Sequence, residues 1–240
     1  MEQIEILCLG SGSTGNCYAF RKNDQVVLVE CGLEYDTICS KLIQQGILPT
    51  EIVAAIVTHR HKDHSLALPQ LRARGIPVYN DFIEGDQFHI GDKCKVQLCD
   101  WLKVYCFKVN HDVDAFGFAL LDTENKQSYL FINDTAEFEF DLKKIPFDVV
   151  MIECNFIQFQ LEAIKNSNPK ASFKYARQER SHLSLLGTKN MLSQMNLKKT
   201  KTIVLMHLSM DCSNETVMKN EIESVFNIRT LIARKNGGLN

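Results

Sequence analysis

The sequence predicts an α+β protein in which two sheets pack together with helices outside. Three observations carry that expectation. Apolar runs of strand length crowd the first half, the hairpins between strands are short, and most strands precede the later helices. That order disfavours a doubly wound parallel sheet. The chain has 240 residues, 45% hydrophobic and 23% charged, enough for a sizeable core. No linker, repeat or low-complexity tract divides it, so a single domain over residues 1–240 is expected.

The elements follow in order. IEILCL (4–9), CYAF (17–20), VVLVE (26–30) and VAAIVT (53–58) read as strands. Between the last two, YDTICSKLIQQG sets Ile38, Leu42 and Ile43 at helical spacing, with Gly46 as a stop. SLALPQLRARG (65–75) reads as a helix opened by Ser65 and closed by Gly75, with Pro69 near its first turn. Strands are expected at 104–109, 116–122, 128–133, 148–152 and 202–206, helices near 183–195 and 214–224, and a final strand in TLIARK. GSGSTG (10–15) matches the G-x-G-x-x-G spacing of dinucleotide sites. That fingerprint needs a helix directly after it, whereas NCYAFRKNDQVVLVE reads as a hairpin, so a glycine-rich turn between strands is the better account.

Composition narrows the function classes. A net charge of -2 advertises no global attraction to polyanions, so any basic surface must be local. No apolar run approaches the roughly 20 residues of a membrane span. The opening MEQIEILCLG begins with acidic residues and runs into a strand, unlike a signal peptide. The nine cysteines are odd in number and form no CxxC pair, and Cys8, Cys31, Cys106 and Cys154 sit in or beside apolar runs. Reduced thiols and a cytoplasmic location are expected.

The stretch THRHKDHS (58–65) concentrates three of the seven histidines and one aspartate. His59 follows a buried strand, and in an extended chain i and i+2 point the same way, so His59 and His61 converge on one point. Asp63 and His64 come one step later and can face a second. Imidazole suits zinc, iron or manganese, and a carboxylate adds charge that a divalent cation favours. A solvated polar turn would explain the polarity but not the H-x-H-x-D-H pattern, so metal binding is the stronger reading.

In this context the motif resembles the signature of the metallo-β-lactamase superfamily. VNHD supplies His111, LFINDT supplies Asp134 and IVLMHLS supplies His207 at the later motif positions, and six of the seven histidines fall in motifs. Within the superfamily the likeness is greatest to the YycJ/WalJ-type exonucleases, through GSGSTGN, the VECG segment and two HLS tripeptides at 182–184 and 207–209. The resemblance implies an αββα sandwich of two mixed sheets. It implies two divalent metal ions, with zinc as the expected metal and manganese or iron as alternatives. His59, His61 and His111 would hold one metal, Asp63, His64 and His207 the other, and Asp134 would bridge them. It further implies a phosphodiesterase acting on nucleic acid, expected to be DNA, in which a bridging hydroxide attacks phosphorus and Asp63 and His182 take catalytic roles.

Lys174 and Arg177, in a basic run (165–182) that also carries Lys165, Lys170, Arg180, Phe173 and Tyr175, are candidate phosphate contacts. Ser184 and Ser209 of the HLS tripeptides join them as candidate substrate-binding residues. Such a run is otherwise a solvated face. His89 has no motif partner and reads as a surface histidine. Three departures from the family pattern stand out: Glu30 where Asp is usual, Asn133 where Gly is common, and Phe156 and Ile157 ending IECNFIQ where polar residues are expected. A small-molecule ester, thioester or lactone hydrolase is the main rival. A di-iron redox enzyme is disfavoured by His61, and a non-catalytic metal binder by the full ligand set. The spacing leaves no room for the inserted domain of RNA-cleaving relatives, and the sequence shows no glycine-rich insertion that could form the arm of a tRNA-maturing enzyme.

Overall fold

A computed structural model of the chain describes residues 2–136, 142–167 and 172–240. Two mixed sheets lie face to face. The first has five strands in the order β1 (Glu5–Gly10), β2 (Cys17–Lys22), β3 (Gln25–Val29), β4 (Ile52–Ile56) and β5 (Val78–Tyr79). The second has seven, in the order β12 (Arg229–Ile232), β11 (Thr202–Met206), β10 (Val149–Glu153), β9 (Ser128–Ile132), β8 (Ala115–Asp122), β7 (Leu102–Val109) and β6 (Lys95–Cys99). Helices α1 (Tyr35–Gln44), α2 (Lys62–Ser65) and α3 (Leu68–Ala73) belong to the first half, and α4 (Gln158–Ser167), α5 (Ser172–Ser181), α6 (Leu185–Ser193) and α7 (Glu215–Phe226) to the second.

Side-chain alternation builds the layers, because successive residues of a strand face opposite sides. Val27 and Val29 of β3 join Tyr129 and Phe131 of β9, Met151 of β10 and Val204 of β11 in the core between the sheets. Val26 and Leu28 instead meet Ile38 and Leu42 of α1 and Leu68 and Leu71 of α3. On the second sheet, Leu130, Ile132, Val150, Ile152, Ile203 and Leu205 face outward against Leu192 of α6 and Met218 and Ile222 of α7. Edge-on aromatic pairs lock the central layer, Tyr18 with Phe131 at 5.3 Å and Phe20 with Tyr129 at 5.6 Å between ring centroids. The expected αββα sandwich is the observed architecture.

Strand direction places the functional end. β3 runs parallel to β4, and β9, β10 and β11 run parallel to one another. β7 points the same way as β9, because both are antiparallel to β8 between them. The segments after β3, β4, β7, β9, β10 and β11 carry Glu30, His59, His111, Asp134, Asn155 and His207.

Several boundaries differ from expectation. The helix expected at 65–75 is shorter, as α3, and a separate short helix α2, with His61 as its N-terminal cap, comes before it. Pro69 sits in the first turn of α3, where its missing N–H is tolerated. The helix expected from 183 begins at Leu185, because Ser184 accepts the Gly187 amide at 3.0 Å. Helices α4 and α5 and strands β5 and β6 were not foreseen; α5 buries only Tyr175 and Ser181, too little to produce an apolar period. Among the described residues no helix is long and apolar enough to cross a membrane.

Candidate metal centre

The glycine-rich turn after β1 braces the loop that carries the histidines. Asn16 donates its backbone N–H to the Asp63 carbonyl at 2.7 Å, and Cys31 donates to the His64 carbonyl at 2.8 Å. Ser11 Oγ accepts the His207 amide at 2.9 Å and the Tyr18 hydroxyl at 2.8 Å, tying the same turn to the far side of the site. Gly32 permits this closeness: a Cβ there would collide with the Asp63 carbonyl and crowd the His64 amide, backbone atoms that cannot step aside cheaply. Gly32→Ala is therefore expected to destabilise the fold by roughly 1–3 kcal/mol through overpacking. Urea titration measures it, and a wild-type midpoint would show that the loop is loosely held.

The structure brings all seven expected ligands together. The ligand atoms of His59, His61 and His111 lie within 4.8 Å of one another, and so do those of Asp63, His64, Asp134 and His207. His59 Nε2 is 3.0 Å and His111 Nε2 3.4 Å from His61 Nδ1. Tetrahedral ligands about 2.0–2.1 Å from a zinc ion sit roughly 3.3 Å apart, so this triad has the spacing a cation of that size requires. Asp134 lies between the groups. Its Oδ2 is 3.8 Å from His59 Nε2, 3.9 Å from His111 Nε2 and 3.1 Å from His64 Nε2, and its Oδ1 is 2.8 Å from His207 Nδ1. His207 Nε2 is buried without a hydrogen-bond partner, 3.8 Å from Asp63 Oδ2. An orphaned buried nitrogen beside a carboxylate fits a donor atom to a cation.

Electrostatics divides the centre in two. Burial, reinforced by neighbouring imidazoles, depresses the pKa of His59 and His111, which keeps them neutral with lone pairs available. Burial alone would do the same to His64 and His207, but Asp134 and adjacent carboxylates outweigh it and hold both well above the usual imidazole range. Burial likewise opposes ionisation of Asp134, yet His207 and His64 hold its carboxyl well below the carboxylate range. The second group thus pairs buried carboxylates with imidazoles they keep protonated, so protons compete with a cation for the same lone pairs.

Residues behind these side chains orient them. Thr58 Oγ1 donates to Glu30 Oε1 at 2.6 Å, so it must accept from His59 Nδ1, 2.8 Å away, which leaves the lone pair on His59 Nε2. Glu30 is fully buried, and its Oε1 also lies 3.2 Å from His64 Nδ1. The longer side chain at this departure from the family pattern therefore keeps its contacts. Glu30, Asp134 and His207 all have positive φ, +67°, +46° and +55°, backbone strain of the kind that collects where side chains must be aimed.

Sequence reasoning assigned no role to Glu153, the fully buried end of β10. Its Oε1 accepts from His182 Nδ1 at 2.5 Å and lies 3.2 Å from His207 Nδ1, and its Oε2 accepts the Thr135 amide at 3.0 Å and the Leu183 amide at 3.2 Å. Asp134, Glu153, His182 and His207 form a third close group of possible ligands. A signal did exist: VVLVE and VVMIE are both apolar strands closing on a glutamate, and both glutamates are buried beside ligands. Asp112 was also passed over; its Oδ1 is 3.1 Å from His111 Nε2.

A cavity of about 790 Å³ opens over the centre, lined among others by His61, Asp63, His182, His207, Ser209 and Arg177. Lys174 and Arg177 stand on its lip, but each holds an acid: Lys174 Nζ is 3.2 Å from Asp211 Oδ2, and Arg177 Nε is 3.1 Å from Asp112 Oδ2. Lys165 pairs with Glu179 at 2.7 Å. The basic run is therefore largely paired, and its Lys170 lies outside the described residues. Ser209 accepts the Cys212 amide at 3.3 Å, whereas Ser184 caps α6 and does not line the cavity. Phe156, at the other departure, packs with Leu161, Tyr175 and Cys212 and so anchors α4 and α5 beside the site. His89 is exposed in the loop between β5 and β6.

This sandwich, with its histidines and aspartates gathered at the strand ends, is the metallo-β-lactamase fold, and residues 10–79 match the Metallo-beta-lactamase superfamily. The chain is 27% identical over 143 residues to the exodeoxyribonuclease WalJ of Streptococcus pneumoniae serotype 2 (strain D39 / NCTC 7466), a match covering 53% of each chain. It is 29% identical over 90 residues to ribonuclease Z of Pyrobaculum neutrophilum, covering 32% of this chain and 30% of that one. The chain thus spans about half the length of the first of these curated relatives, or less in the second case. Among solved structures, the metallo-β-lactamase fold protein YhfI from Bacillus subtilis superposes over 100% of both chains with a TM-score of 0.75 at 17% identity.

Proposed function

We propose that the chain is a binuclear-metal hydrolase of phosphodiesters in nucleic acid, with DNA as the substrate. The observation that carries this reading is Asp134, a buried carboxylate that lies 3.1 and 2.8 Å from His64 and His207 of one group of candidate donors and, through Oδ2, 3.8 and 3.9 Å from His59 and His111 of the other, beneath one open cavity. His59, His61 and His111 would hold one cation, Asp63, His64 and His207 the other, with zinc as the expected metal. Two divalent cations held side by side supply Lewis-acid charge to phosphoryl oxygens and make water nucleophilic near neutral pH.

The chain's own groups do the rest. Thr58 and Glu30 present the ring nitrogens of His59 and His64, and Ser11 and Asn155 hold the His207 turn, the latter by an Nδ2 bond to its carbonyl at 2.6 Å. His182 commits Nδ1 to Glu153, which leaves Nε2 as the nitrogen available to the cavity. From there it can hand a proton to the leaving oxygen of a diester.

The test is metal content by elemental analysis followed by a screen of bis-(p-nitrophenyl) phosphate, thioesters, lactones and labelled single-stranded and duplex DNA. Diester and DNA cleavage supports the reading; turnover of thioesters or lactones alone would reassign the site to small esters. If Lys174 and Arg177 exchange their aspartates for phosphates, replacing both by Ala lowers DNA affinity more than turnover of a small diester. On a single strand, the slope of log affinity against log salt should become shallower by about 0.7 for each phosphate that is no longer neutralised. An unaltered slope would show that neither cation touches the backbone.

A further inference from the structure

Helix α5 presents a continuous stripe to the cavity: Phe173, Lys174, Arg177, Gln178 and Ser181 all line it. Their spacing, i, i+1, i+4, i+5 and i+8, is one face of a single helix. Ser181 ends the stripe next to His182, and Phe173 ends it about 12 Å further out, from eight residues at roughly 1.5 Å each. The two aromatic residues of α5 have opposite fates. Tyr175 is buried with Phe156, Leu161 and Cys212 and anchors the helix, whereas Phe173 is 79% exposed and contributes to no core cluster. Met210, which also lines the cavity, is 68% exposed, so the lining carries two large, mostly exposed apolar side chains.

We propose that Phe173 is a stacking platform for an unpaired nucleobase, and that the substrate enters as a single strand laid along α5 from Phe173 to His182. This rests on the phosphodiesterase reading above. The charges of the lip argue for a nucleotide over an apolar acyl chain. Phe173 is followed immediately by Lys174 and one turn later by Arg177, so a base on the ring brings its own phosphates within reach of both cations. Because each cation already holds an aspartate, phosphate contacts displace an existing partner, and stacking supplies a large share of the hold. A base in a duplex has its faces covered by its neighbours and its Watson–Crick edge paired, so a strand must be single to lay one on Phe173.

The experiment compares single-stranded phosphorothioate oligo(dT), a slowly cleaved probe, with the same strand made abasic, on the full chain and on Phe173→Ala. Base–aromatic stacking contributes about 1–3 kcal/mol per base, so removing either the ring or the bases should weaken binding by about 5–150-fold, and removing both should do no more than removing one. Phe173→Trp gives a second readout: the only native tryptophan, Trp101, is buried, so an exposed indole at 173 should be quenched by oligo(dT) and left unquenched by inorganic polyphosphate. Equal weakening of both strands by Phe173→Ala, or quenching by a thioester and not by oligo(dT), would overturn the proposal. A protein that cleaves diesters and binds DNA with Phe173 irrelevant loses only this inference. One that binds no nucleic acid at low salt and cleaves no diester loses the phosphodiesterase reading as well.

Discussion

Asp134→Ala is expected to release or weaken both cations at once and to lower hydrolysis by orders of magnitude, while His59→Ala empties one position preferentially. The difference follows from position. His59 belongs to the triad with His61 and His111, but Asp134 lies close to both groups, its Oδ2 3.8 and 3.9 Å from His59 and His111 and its two oxygens 3.1 and 2.8 Å from His64 and His207. Removing the carboxylate also removes the charge that holds His64 and His207 above the usual imidazole range, so their affinity for protons falls along with that for cations. Elemental analysis after reconstitution, with circular dichroism to check the fold, measures the effect. Two full equivalents of metal in an active Asp134→Ala protein would end the bridging role.

His182→Ala should retain both metals and lose rate in proportion to the basicity of the leaving group. General-acid assistance typically contributes about 10²–10⁴-fold, and a nitrophenolate needs little of it whereas a nucleoside alkoxide needs most. The loss on DNA should therefore exceed that on bis-(p-nitrophenyl) phosphate. Glu153→Gln should reproduce part of the pattern, because Glu153 accepts from His182 Nδ1 and holds the ring. The same carboxylate lies 3.2 Å from His207 Nδ1, so metal content must be measured in parallel. Metal loss in His182→Ala would make His182 a ligand, in keeping with the third group it forms with Asp134, Glu153 and His207. Equal loss on both substrates would remove the acid role.

The order of strands and the ligand motifs were legible in the chain because both are local. Continuous apolar runs mark β3, β9 and β11 wherever they end up, and THRHKDHS places four candidate ligands on one turn. The boundaries went astray where a single contact decides them: Ser184 accepts the amide that opens α6, two residues beyond the expected start. Helices α4 and α5 escaped notice because a helix that buries little leaves a polar sequence. Glu30 and Glu153 looked alike in sequence, glutamates at strand ends, and nothing in either run says which partners a buried carboxylate will find.

The residue types, their order and the pairing of a histidine-rich turn with apolar strands were therefore determined by the sequence alone, since spacing of two or four residues sets direction within an element. Tertiary structure decided which distant groups share a charge. Asp112 meets Arg177 across 65 residues, Thr58 reaches Glu30 across 28 and His182 reaches Glu153 across 29. Such partners are chosen by the packing of whole sheets and helices. Electrostatic interaction falls off with distance in space and is indifferent to separation along the chain, so the environment of each ligand and the pairing of each lip cation exist only once the sandwich has closed.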